Sequence, residues 1–111
     1  MTMTKEEVQM LSFQMILHAG NARSDAMEAL LLAKKGQFEE AAVKMESAGE
    51  AFTEAHQMQA NLLHEEANGE TTELSVILIH AQDHLMNALT VKDLAIEMID
   101  MHQKINHLEG K

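Results

Sequence analysis

The chain has 111 residues, 46% of them apolar but only 3% aromatic, and it contains no Trp, Tyr, Pro or Cys. Without cysteine there are no disulfides, thiolate zinc sites or cysteine nucleophiles. The formal net charge of -10 excludes a binder of nucleic acid, which needs clustered Lys and Arg, and it argues equally against direct membrane-surface binding. The N-terminal MTMTKEEV lacks the basic and apolar regions of a signal peptide, and no apolar run is long enough to span a bilayer, so a cytoplasmic protein is expected.

Strong helix formers dominate (Ala, Leu, Met, Glu, Lys and Gln), while β-branched and aromatic residues are sparse. An all-α chain follows. With no Gly/Ser linker or low-complexity tract, residues 1–111 are expected to form a single domain.

Thr4 and Glu7 have capping-box spacing just ahead of the periodic run Val8, Leu11, Met15, Ala19, Ala22, Ala26, Ala29 and Ala33. This predicts a first helix from about Thr4 to Lys35, its second half presenting mainly alanine to the core. Lys34, Lys35 and Gly36 supply a cationic last turn and a left-handed cap. The short connection makes the next helix an antiparallel neighbour.

That second helix, about Gln37 to Asn68, carries a 3-4 spaced stripe of Phe38, Ala41, Met45, Ala48, Phe52, Ala55, Gln59 and Leu62, with Gln59 the one polar slot. Asn68-Gly69 signals a stop, and Thr71 or Thr72 with Glu73 is expected to begin a third helix reaching about His107. The predicted architecture is an antiparallel up-down-up three-helix bundle.

The third helix has more apolar surface than a lone bundle can cover. One seam runs through Leu74, Ile77, Ala81, His84, Ala88, Val91, Ala95 and Met98, and a second through Ile79, Asp83, Met86, Thr90 and Leu94. The first can face the other two helices; the second needs a partner from outside the chain. A homo-oligomer with third helices at its centre is therefore expected. Copies of Asp83 would converge on its axis, where they must be protonated, hydrated or neutralised by a hard divalent ion such as Mg²⁺. The plain alternative is a solvated surface aspartate.

The stretch ILIHAQDHLM holds the densest cluster of ionisable groups in an apolar run, with His80, Asp83, His84 and Asn87 on one helical patch. His80 is expected at the border of the first seam, where an imidazole serves as a structural group, a metal ligand or a nucleophile. His80 and His84 have chelating spacing, but Ala81 stands where a HExxH protease needs Glu, and no histidine is preceded three residues earlier by Glu, as di-iron bundles require. A Ser/His/Asp hydrolase lacks its Gly-rich turn. Equal rise per residue places His80 level with about Gln14 to His18 and Met58 to Asn61. Gln59 is thus a candidate hydrogen-bond partner for the His80 region, from its own or a neighbouring subunit, unless it faces water at the bundle edge.

ILIHAQDHLMNALTVKDLAIEMI closely resembles the third helix of the lactose/cellobiose-type IIA components of the bacterial sugar phosphotransferase system, and HAGNARSDAMEAL, AKKGQFEEA and AHQMQANLLHEEANGE extend the likeness in the same order. The resemblance implies a homotrimer of three-helix subunits that carries a phosphoryl group on histidine. His80 matches the phosphorylated histidine of the HAQDH motif, Asp83 the aspartate that binds a divalent metal on the trimer axis, and His84 is retained in a supporting role. The implied donor is the phosphocarrier HPr and the implied acceptor a cysteine of the IIB component, which serves the IIC membrane transporter. Lactose, cellobiose, chitobiose and related β-glucosides all remain open as the sugar. The rival class is a helical oligomerisation or adaptor protein that accepts no phosphoryl group.

Overall fold

The computed structural model describes residues 3–70 and 74–110 and contains three long helices: α1 (Lys5–Lys34), α2 (Phe38–Ala67) and α3 (Val76–Leu108). They run up, down and up in a rod of 59 × 21 × 19 Å. Among the described residues there is no strand, and no helix is long and apolar enough to cross a membrane.

Local chemistry sets most of the ends. The hydroxyl of Thr4 accepts from the Glu7 amide at 3.1 Å and the Glu7 carboxylate accepts from the Thr4 amide at 3.3 Å, completing the expected capping box. At the far end Gly36 takes φ 81°, and the amides of Gly36 and Gln37 reach back to the carbonyls of Ala33 and Leu32 at 3.0 and 2.9 Å. Gly69 repeats this device after α2, with φ 86° and bonds from Gly69 and Glu70 to Glu66 and Glu65. Such left-handed positions favour glycine because a Cβ would crowd the backbone.

The start of α3 differs from expectation. Its N-cap is Ser75, whose hydroxyl accepts from the Leu78 amide at 3.2 Å. The expected start at Thr71 or Thr72 with Glu73 lies outside the described residues, and Leu74 and Ser75 are not helical. Four cap-competent or acidic residues stand close together here, and the one whose register lets Leu78 enter the core begins the helix.

α1 packs along its length against both other helices, while α2 and α3 share a thinner seam. The reason is alanine. Ala19, Ala22, Ala26, Ala29 and Ala33 of α1 are buried against Ala41, Ala48 and Ala55 of α2 and Ala81, Ala88 and Ala95 of α3, and small side chains let helix axes approach closely. Larger side chains fill the other end, where Val8, Met15, Leu62, Leu78 and Leu85 form one cluster. The expected stripes of α1 and α2 are therefore the observed ones, with one addition. Ser12 is fully buried, and its hydroxyl donates to the Val8 carbonyl at 2.7 Å, which satisfies the polar group inside the core.

On α3 the core seam is rotated from the expected one. Leu78, Ala81, Leu85, Ala88 and Ala95 are buried, Ile77, His84 and Val91 lie half-buried at its border, and Leu74 and Met98 are exposed. Because α3 must meet α1 and α2 together, the two leucines that can reach both helices are drawn inward. That rotation turns His80 outward.

Candidate functional site

His80 projects from the second turn of α3 and is exposed, while His84, one turn further on, is half-buried at the edge of the core. Buried Ala81 and Leu85 directly follow His80 and His84 in the chain, so packing fixes the helix face that carries the pair. The two rings meet edge to face with centroids 4.4 Å apart, and their Nε2 atoms are 3.0 Å apart. A hydrogen bond between two imidazoles needs one N–H and one lone pair, so one Nε2 donates and the other accepts.

An exposed imidazole whose second nitrogen is free to be oriented has the makings of a nucleophile. A neutral ring attacks through one lone pair, and a neighbour that fixes the proton on the other nitrogen readies it. Among the described residues no Gly-rich loop of the kind a hydrolase uses lies beside it. Group transfer from one protein to another suits this open position better than a reaction that must exclude water.

Gln59 lies opposite the motif, as the level matching places it, but within the subunit it does not reach His80. Its Nε2 donates to Oε1 of Gln82 at 2.5 Å. Gln82 sits between His80 and Asp83 in sequence and was not singled out by sequence reasoning. The signal was present: a polar slot on α2 level with a polar residue on α3. A second tie lies further along the same seam, where Lys92 Nζ stands 5.3 Å from the centre of the Phe52 ring, itself stacked on His56. These contacts tie α3 to α2 along the seam next to the face that carries His80.

On α1 the level is shifted. A groove lined by Leu30, Leu31 and Lys34 with Met98, Met101 and Ile105 shows the offset between the parallel helices α1 and α3. Carried back with equal rise per residue, it puts His80 level with about Met10, roughly one turn before the expected Gln14 to His18. Met10 and Phe13 are exposed there.

Asp83 is exposed on the side of α3 that faces away from the core, among Ile79, Met86 and Thr90. It makes no hydrogen bond or ion pair within the subunit among the described residues. No group of three or more His, Cys, Asp or Glu side chains able to hold a metal ion occurs among them either. One carboxylate per chain is a fragment of a hard-cation site; it fits such an ion only where symmetry brings further copies together.

The sequence profile of the family "PTS system, Lactose/Cellobiose specific IIA subunit" matches residues 10–103. The lichenan-specific phosphotransferase enzyme IIA component of Bacillus subtilis (strain 168) is 50% identical over 105 residues, covering 95% of this chain and 96% of that protein. Among solved structures, the PTS cellobiose-specific enzyme IIA from Bacillus anthracis superposes with a TM-score of 0.87 at 56% identity, over 96% of this chain and 95% of that one. The IIA(Chitobiose) of the Escherichia coli phosphotransferase system, solved in complex with HPr, superposes with a TM-score of 0.78 at 35% identity, over 90% and 97%. The chain thus belongs to the family of lactose/cellobiose-specific IIA subunits of the bacterial phosphotransferase system.

Proposed function

We propose that this chain, acting as one domain, is the phosphocarrier of a sugar phosphotransferase system in the cytoplasm, and that His80 is the residue that carries the group. The observation behind this reading is the exposed His80 of the HAQDH motif, with its Nε2 3.0 Å from that of His84, in a family member whose relative was solved with HPr. His80 takes the phosphoryl group from phospho-HPr: a P–N bond forms at the imidazole while the bond from phosphorus to the donor atom breaks. On delivery the P–N bond breaks and a P–S bond forms on the IIB cysteine, for uptake of a β-linked disaccharide through the IIC transporter. The transfer is positional and electrostatic, so the subunit's task is to aim the ring and offset charge. His84 and the Gln59–Gln82 pair serve that task.

The working form in this reading is a homotrimer with α3 at its centre. What supports this is the outer face of α3, which exposes Ile79, Met86 and Leu94 as a run of apolar surface suited to a partner. Asp83 lies among them, and its copies would share a divalent ion such as Mg²⁺ whose chemistry is to neutralise their mutual repulsion. Sugar specificity lies elsewhere in the system.

Incubation with phosphoenolpyruvate, Enzyme I and HPr tests the assignment. The wild-type chain should gain an acid-labile, alkali-stable phosphoryl group that is absent in His80→Ala, with unchanged circular dichroism. Equal labelling of the variant removes His80 from the role, and an unlabelled wild type leaves a helical adaptor.

A further inference from the structure

We infer that His84 selects the tautomer of His80, holding its proton on Nδ1 so that the Nε2 lone pair is the one offered to phosphorus. This rests on the phosphocarrier reading of His80. The geometry supplies the argument. With the two Nε2 atoms 3.0 Å apart, two N–H groups or two lone pairs facing each other would repel, so a single proton lies between the rings.

The settings of the two rings bear on which one donates. His84 is half-buried on the border of the core, between buried Leu85 and Ala88 on one side and Ala81 on the other, whereas His80 is exposed. If His80 donated, its remaining lone pair would be on Nδ1, the nitrogen next to the ring carbon that bears Cβ and so the more crowded of the two. If His84 donates, the lone pair is at the outer tip of the His80 ring. The second arrangement leaves His80 poised, with His84 as a positioning residue.

The step balances without another reactant. As the Nε2 lone pair forms the P–N bond and the bond from phosphorus to the donor breaks, the N–H of His84 turns from the nitrogen to a phosphoryl oxygen. The His80 ring, still bearing the Nδ1 proton, becomes a cation, and this makes it a ready leaving group when the phosphoryl group moves on. When it departs, the imidazole–imidazole bond re-forms. One donor therefore serves both states, first fixing the nucleophile and then offsetting the oxygen charge.

Histidine-selective ¹⁵N NMR of the unphosphorylated protein at about pH 8, where ordinary imidazoles are neutral, tests this directly. In the wild type the His80 Nε2 should show the shift of an unprotonated nitrogen. His84→Ala should move His80 toward a mixture of tautomers, and His84→Gln, whose amide nitrogen can take the place of the imidazole donor, should restore the wild-type pattern. In parallel, the initial rate of labelling by phospho-HPr should fall on the order of tenfold or more in His84→Ala and recover in His84→Gln. A protonated His80 Nε2 in the wild type, a tautomer unmoved in His84→Ala, or equal labelling rates overturns the inference. A wild type that takes no phosphoryl group instead overturns the phosphocarrier reading, while the tautomer result stands or falls by itself.

Discussion

On one side of α3, Leu78, Ala81, Leu85, Ala88 and Ala95 are at most 5% exposed, while on the other Ile79, Met86 and Leu94 keep 53%, 44% and 52% of their surface in water. The two faces are equally rich in helix-forming apolar residues, so propensity does not separate them. What separates them is the partner. The inner face meets α1 and α2 of its own chain; the outer face, with Asp83 in its midst, has none within the subunit. His80 and His84 stand on the flank between the two, where the His84 ring is half-buried at the edge of the core and the His80 ring is exposed.

The largest effect should come from the inner face. Leu85→Ala removes a fully buried side chain from the large-residue end of the core and should lower the subunit's unfolding free energy by about 2–5 kcal/mol, read by urea denaturation. A loss under about 1 kcal/mol would mean that the core collapses around the gap and that the inner face is less tightly packed than it stands here.

Substitutions on the outer face should leave the subunit folded and act on assembly. Met86→Lys puts a charge into the exposed apolar run and, with the proposed trimer as the wild-type state, should shift sedimentation to monomer. Asp83→Leu removes the charges that the proposed trimer would bring together and extends that run, so such a trimer should persist to lower protein concentrations and become indifferent to chelator. If Met86→Lys sediments as the wild type does, the contrast between the faces has another cause.

The smallest effect concerns α1 and α2 at a distance from both faces. Lys44 Nζ lies 2.7 Å from Glu28 and 3.9 Å from Asp25. The hydrogen bond to Glu28 and that residue's charge, with a lesser contribution from Asp25, raise the Lys44 pKa above its ordinary 10.5. A cation stabilised by folding contributes fully below its unfolded pKa and loses that contribution as pH rises through the folded value. The melting temperature of the wild type should thus fall relative to that of Lys44→Met only above about pH 10.5, a difference small enough for an exposed pair to be lost in high salt.

Much of this was legible before any coordinates. The Thr4–Glu7 box, Gly36 and Asn68-Gly69 are local devices whose chemistry acts within a few residues, and all three end helices where expected. The alanine stripe of α1 and the stripe of α2 were equally readable, since each has a single plausible apolar face. α3 had two, and periodicity alone found Ala81, Ala88 and Ala95 but put Ile77 and His84 where Leu78 and Leu85 enter the core. Its cap was missed for a related reason, because several competent residues precede it and only packing chooses Ser75. Gln59 was visible as a polar slot, but its partner Gln82 depends on how α2 and α3 are rotated against each other.

The sequence by itself determined the helices, the order in which they pack and the HAQDH cluster, because these depend on contacts between residues close along the chain or on a motif carried whole. Only the tertiary structure decided how α3 turns about its axis. That rotation follows from the need to fill the space between two other helices at once, and it brings the His84 ring to the edge of the core and the His80 ring out beside it.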